Sequence, residues 1–143
     1  MNYALVTGAG RGIGRAVAIR LAEMGYRILI NYLSNAAAAE QTLVAIRERG
    51  GDGELLPFDV ADKEVVETAL DAWRAAHPDA FVQVVINNAG IRRDGLLMWM
   101  HEEDWYRVVR TNLDGFFHVT QPLLKEMLIR KTGRIVNIVS LSV

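Results

Sequence analysis

The sequence contains no cysteine, only three prolines, and no excess of either charge: sixteen Lys and Arg stand against seventeen Asp and Glu, for a formal net charge of -1. Each shortage excludes something. Without thiols there is no disulfide and no cysteine nucleophile, which fits a reducing compartment. The balanced charge gives no bulk attraction to nucleic acid or anionic lipid, so neither partner is expected. No apolar run approaches the roughly 20 residues that span a bilayer, and Met1 leads into a strand pattern rather than a basic and apolar leader. The three histidines, His77, His101 and His118, are far apart and share no ligand spacing, so no metal site is expected. These features together predict a cytoplasmic protein with no membrane partner.

What is present is 51% hydrophobic and 23% charged sequence, enough for a single domain, residues 1–143, with a real core. Short apolar runs alternate with longer segments of helical period, the pattern of stacked βαβ units on a parallel sheet. Strands are predicted over Ala4–Val6, Arg27–Ile30, Glu54–Phe58, Val82–Ile86 and Arg134–Val139, all parallel. Helices are predicted from about Ile13 to Met24, Ala36 to Arg49, Asp62 to Ala76 and His101 to Arg130. Gly25 and the pair Gly50-Gly51 fall where helices end. Pro122 falls inside the long last helix, and a kink or a division into two helices is expected there.

Between the first strand and the first helix runs "VTGAGRGIG". Gly8 permits a tight turn, Gly12 lets backbone approach a pyrophosphate, and Gly14 lets the helix pack close on the sheet. Phosphates would then lie at the helix amino terminus, where unpaired N–H groups and the helix dipole favour negative charge. Asp59 by itself reads as a turn or capping residue. The adjacent amides Asn87 and Asn88, at the end of a strand, require partners. "RIVNIVSLSV", residues 134–143, ends on two serines at the carboxyl edge of the predicted sheet, where ligands of such folds bind.

The spacing "TGAGRGIG" resembles the glycine motif of the short-chain dehydrogenase/reductase family, and four further stretches match in order: "FDV" at 58–60, "NNAG" at 87–90, "TNLDG" at 111–115 and "GRIVNIVS" at 133–140. The resemblance implies an α/β fold, a Rossmann-type doubly wound parallel sheet, here truncated after the fifth strand, around NAD(P). It implies cofactor contacts at Thr7, Gly8, Gly10, Arg11, Gly12, Ile13 and Gly14, at Asn31, at Asp59 and Val60 beside the adenine, and at Asn88, Ala89 and Gly90. It gives Ser140 the task of hydrogen-bonding the substrate carbonyl, with Ser142 the weaker candidate, and Asn112 a place in a water-linked proton path.

Family members also use a tyrosine with a lysine four residues later, and none of Tyr3, Tyr26, Tyr32 and Tyr106 is so followed. The chain therefore reads as the amino-terminal part of a longer family member. Taken literally as a whole, it would be a dinucleotide-binding module without catalysis. The second strand runs into "NYLSN", residues 31–35, with no acid to hold a ribose 2′-hydroxyl, and Arg11 is placed to meet a 2′-phosphate, so NADP(H) is expected. Within the family the sequence is most similar to 3-oxoacyl-[acyl-carrier-protein] reductases, which implies an acyl carrier protein or CoA thioester substrate; other alcohols, sugars or steroids remain alternatives. Arg130, Lys131 and Arg134 form a local basic cluster suited to an acidic carrier, or equally to a helix carboxyl terminus. The family's habit implies a homotetramer built on His101 to Arg130.

Overall fold

The structure, a computed structural model, describes residues 1–91 and 95–139. In chain order it contains β1 (Asn2–Val6), α1 (Gly12–Glu23), β2 (Arg27–Tyr32), α2 (Ala36–Glu48), β3 (Gly53–Pro57), α3 (Lys63–Ala76) and β4 (Phe81–Asn87). A short 3-10 turn (Leu97–Trp99), α4 (Glu102–Val109), a π-turn (Arg110–Asp114), α5 (Gly115–Arg130) and β5 (Arg134–Asn137) follow. Ser140 and Ser142 lie outside the described residues.

All five strands are parallel, in the order β3-β2-β1-β4-β5. The alternation of side chains along each strand divides the core in two. Leu5, Leu29, Val82 and Val85 face α3 and α5 and pack with Leu70, Trp73, Val119, Leu123 and Met127. Ala4, Val6, Ile28, Ile30, Val84 and Ile86 face α1 and α2 and pack with Ala18, Ala22, Leu43 and Ile46. Leu5, Ile28, Leu29 and Ile30 are completely buried, each contributing roughly 1.5–3 kcal/mol by leaving water. Burial on both faces explains why these strands read as continuous apolar runs.

The helix starts follow local chemistry. Asn35 caps α2 by accepting from the Ala38 N–H at 3.0 Å, and Asp62 caps α3 through the Val65 N–H. The long last helix departs from expectation. It runs through Pro122 as one α-helix, and its irregularity falls earlier, in the π-turn at Arg110–Asp114. β5 is also shorter than its apolar run: Ile138 and Val139 lie past its end.

The chain builds outward from β1 to β3 on one side, then returns to lay β4 and β5 on the other. The strand order thus reverses between β1 and β4, and a crevice opens above their carboxyl ends.

Candidate functional site

A cleft of about 550 Å³ lies at that reversal. Its walls are the glycine loop, the segment 31–35 after β2, residues 58–60 after β3, residues 88–91 after β4, and Arg107 with Thr111 from the α4 region.

The floor is tied by side chains that the motif reading had assigned to a ligand. Thr7, 2% exposed, donates its hydroxyl to the Ile86 carbonyl and accepts from the Asn88 and Ala89 N–H groups at 3.0 and 2.9 Å. Asn88 Nδ2 donates back to the carbonyls of Thr7 and Gly8, both at 3.2 Å. Asn31 is equally committed: Oδ1 accepts from the Gly8 N–H, and Nδ2 donates to the carbonyls of Leu56 and Phe58. A Cβ on Gly14 would stand 2.6 Å from Asn88 Nδ2 and against the Gly8 carbonyl, so only glycine lets α1 approach so closely.

Two residues that the motif reading missed complete this frame. Arg15 Nη2 donates to the carbonyls of Gly10 and Ala38, and its Nε donates to Thr42 Oγ1 at 3.0 Å. Thr42 in turn donates to the Ala9 carbonyl at 2.8 Å. The loop's carbonyls are thereby held toward α2. The signal in the sequence was Thr42 itself, a polar residue among the buried positions Ala39, Leu43 and Ile46 of α2.

The face toward the cleft is different. α1 starts at Arg11 with no side-chain cap, in contrast to α2 and α3. Gly12 has φ +55°, and nothing lies within 4 Å of where its Cβ would point, so bare backbone is presented to the opening. This combination suits an anion, with the helix dipole adding to the free N–H groups. Arg11 and Ile13, both exposed, stand at the same mouth with Gly10. Tyr32, Leu33, Ser34 and Asn35 bring no acid to it. The observed fit is to a phosphate-bearing ligand.

At the other end, Asp59 Oδ1 accepts from the Ala61 N–H and Oδ2 from Arg107 Nη1, both at 2.9 Å. Asp59 is thus both the turn residue that its position suggested and half of an ion pair. Val60 packs against Gly115, where an added Cβ would come within 2.8 Å, and its carbonyl faces His118 Nδ1 at 2.8 Å. Asn112 makes no bond to its own helix through its side chain: the amide reaches Ile91, accepting from its N–H and donating to its carbonyl, both at 3.0 Å. Gly90 sits beneath, with Asn112 Oδ1 2.8 Å from where a Cβ would be. Asn87 ties the end of β4 to Thr120 and to Asn137 of β5.

The basic cluster is elsewhere. Thr132 bonds Gln83 near the start of β4, so Arg130, Lys131 and Arg134 lie at the amino ends of the strands, some five residues or about 17 Å from the cleft along β4. Arg130 pairs with Glu126 at 2.9 Å and lies over the Phe81 ring. Lys131 ends α5 in the left-handed conformation. Among the described residues no group of acids and histidines is arranged to hold a metal, and no helix is long and apolar enough to cross a membrane.

Comparison with known proteins agrees with this geometry. The family model for short chain dehydrogenase matches residues 2–143. The chain belongs to the short-chain dehydrogenase family. Among curated members it is 44% identical to the 3-oxoacyl-[acyl-carrier-protein] reductase FabG of Aggregatibacter actinomycetemcomitans, over 96% of this chain and 57% of the relative. It is 40% identical to the 3-oxoacyl-[acyl-carrier-protein] reductase of Synechocystis sp., over 99% of this chain and 56% of the relative. Among solved structures, a metagenomic short-chain oxidoreductase in complex with NADP superposes with a TM-score of 0.91 at 29% identity, over 99% of this chain and 63% of that one. A gluconate 5-dehydrogenase from Burkholderia cenocepacia, in complex with NADP and tartrate, superposes with a TM-score of 0.85 at 38% identity, over 97% and 53%. This short-chain dehydrogenase chain spans about half the length of the curated relatives it matches.

Proposed function

We propose that the protein to which this chain belongs is an NADPH-dependent reductase of 3-oxoacyl thioesters, carried on acyl carrier protein or CoA, in fatty-acid-type synthesis. The observation that carries the cofactor half is the uncapped α1 terminus beside Arg11, at a cleft whose one acid among the lining residues, Asp59, is already paired with Arg107. The names of the most similar curated relatives support the substrate half.

Bound NADPH would supply a hydride. The chain's own residues divide the remaining work. Arg11 and the N–H groups at the start of α1 hold phosphate charge, including a 2′-phosphate that no acid after β2 opposes. Asp59 and Val60 receive the adenine end, and Asn88, Ala89 and Gly90 form the wall that directs the nicotinamide end. Asn112 sets that wall through its grip on Ile91 and, by the family resemblance, supports the proton path. Ser140, after β5, is assigned the hydrogen bond to the ketone oxygen. The alkoxide's proton is assigned to the family's tyrosine, with its lysine four residues on; neither motif residue occurs in this sequence. The reading includes a cytoplasmic homotetramer assembled on His101 to Arg130, where Phe116, Phe117, Leu124 and Leu128 are exposed.

A second reading has a specific basis: the gluconate 5-dehydrogenase is as similar over this chain as two of the reductases, 38% in each case. The deciding experiment follows NADPH oxidation by the full-length protein with acetoacetyl-CoA and with 5-keto-gluconate. Turnover of the thioester, with at least about ten-fold preference over NADH that Arg11→Ala removes, supports the first reading. Turnover of the sugar acid alone establishes the second. Cofactor binding with neither turnover identifies a dinucleotide-binding module.

A further inference from the structure

Four threonines are buried among the described residues: Thr7, Thr42, Thr111 and Thr120. Three have hydroxyl partners. Thr7 Oγ1 is engaged with Ile86, Asn88 and Ala89, Thr42 Oγ1 with Ala9 and Arg15, and Thr120 Oγ1 with Asn87. Thr111 Oγ1 has none, although the residue is 5% exposed and lines the cleft. A buried hydroxyl without a partner is costly, and in a helix a threonine ordinarily returns its proton to a carbonyl one turn earlier. Here it stands inside the π-turn and does not.

The position says which part of a ligand it meets. Arg107 bonds Asp59 and Gly115 packs on Val60, both in the loop after β3, and Thr111, midway between them along the chain, lines the same cleft as Asp59 and Val60. Asp59 is paired with Arg107, so this wall offers a phosphate no net charge to draw it. A neutral base edge is suited to it, because adenine offers an amine donor and ring-nitrogen acceptors, and a hydroxyl can answer either by rotating.

We propose that Thr111 holds the base: its hydroxyl hydrogen-bonds the adenine of the bound dinucleotide. The proposal rests on the dinucleotide reading above. Its test is the affinity of the full-length protein and its Thr111→Val variant for NADPH and for reduced nicotinamide mononucleotide, which lacks the adenosine half. The near-isosteric valine should weaken NADPH by roughly five-fold, the size of one net hydrogen bond, and leave the mononucleotide unchanged. The melting temperature of the ligand-free variant should be equal or higher, since an unpaired buried hydroxyl has been removed. A variant that binds NADPH as tightly as the parent, or that weakens both ligands equally, overturns the assignment to the base. A parent that does not bind NADPH overturns the cofactor reading itself, and this proposal with it.

Discussion

Asn112 grips Ile91 at both ends of its amide, with Oδ1 3.0 Å from the Ile91 nitrogen and Nδ2 3.0 Å from its carbonyl oxygen. The residue that does so stands in the π-turn between α4 and α5, and the segment it holds is the wall after β4. Removing the amide by Asn112→Ala should cost about 1 kcal/mol, since both bonds are partly open to water. In the same variant, hydrogen exchange at the Ile91 amide should accelerate. Unchanged protection there would show that the grip does not hold the wall.

Two glycines two residues apart should respond differently to alanine. At Gly14 the added methyl has no room against Gly8 and Asn88, both part of the frame, and Gly14→Ala should lose more than about 3 kcal/mol or fail to fold. At Gly12 there is space but φ is +55°, so Gly12→Ala should cost about 1–2 kcal/mol and keep the native circular dichroism spectrum. Its dinucleotide affinity should nevertheless fall at least ten-fold, because the methyl projects into the cleft. Equal thermal stabilities for the two variants would contradict this.

The Asp59–Arg107 pair, with side chains 28% and 35% exposed, should show a coupling of about 0.5–1 kcal/mol in a double-mutant cycle with Asp59→Asn and Arg107→Met. Because the pair fixes one wall of the cleft, each single variant should also weaken dinucleotide binding. A coupling indistinguishable from zero would show that the two residues act separately.

Lys131 is the one non-glycine residue with positive φ among the described residues, at 55°, and it ends α5. Lys131→Gly should therefore stabilise the protein by roughly 0.5–1 kcal/mol in urea unfolding. If this lysine also meets an acidic carrier, the same variant should raise KM for the carrier-linked thioester without changing KM for the CoA thioester.

Asp52 is held in its charged form by its neighbours. The Gly53 N–H, at 2.8 Å, and then the Arg47 guanidinium lower its pKa below the ordinary 3.8, with Arg27 adding a smaller attraction. A carboxylate with a lowered folded pKa stabilises the protein above its unfolded value, and the contribution fades as pH falls through the folded one. Asp52→Asn should thus cost less than about 1 kcal/mol at pH 7, given the group's exposure. The difference should shrink as pH falls below about 4. A difference constant down to pH 2 would assign the effect to packing.

The strands were legible because a parallel sheet covered on both faces leaves nothing but apolar residues in them: Leu29 and Ile30 face opposite cores and are both fully buried. The glycine loop and the acid-free end of β2 were legible for the same kind of reason, a local pattern with a local cause. Pro122 was misleading. A proline announces a lost donor, yet α5 continues through it, and the disturbance lies where Asn112 reaches sideways to Ile91. Arg15, Thr42 and Arg107 were not legible because their partners, Ala38, Ala9 and Asp59, are 23, 33 and 48 residues away. Asn31 was expected to contact the cofactor, while its observed bonds, to the glycine loop and to residues 56 and 58, belong to the frame.

The threonine at the head of the glycine loop has its partners 79 to 82 residues further along the chain. During synthesis on the ribosome the loop emerges among the first residues, and Asn31, Arg15 and Thr42 soon follow, yet its frame is incomplete until β4 has been made and paired beside β1. A nascent chain interrupted before that point carries the full glycine signature and no working receptor. Incomplete translation products would therefore not draw down the cell's pool of dinucleotide.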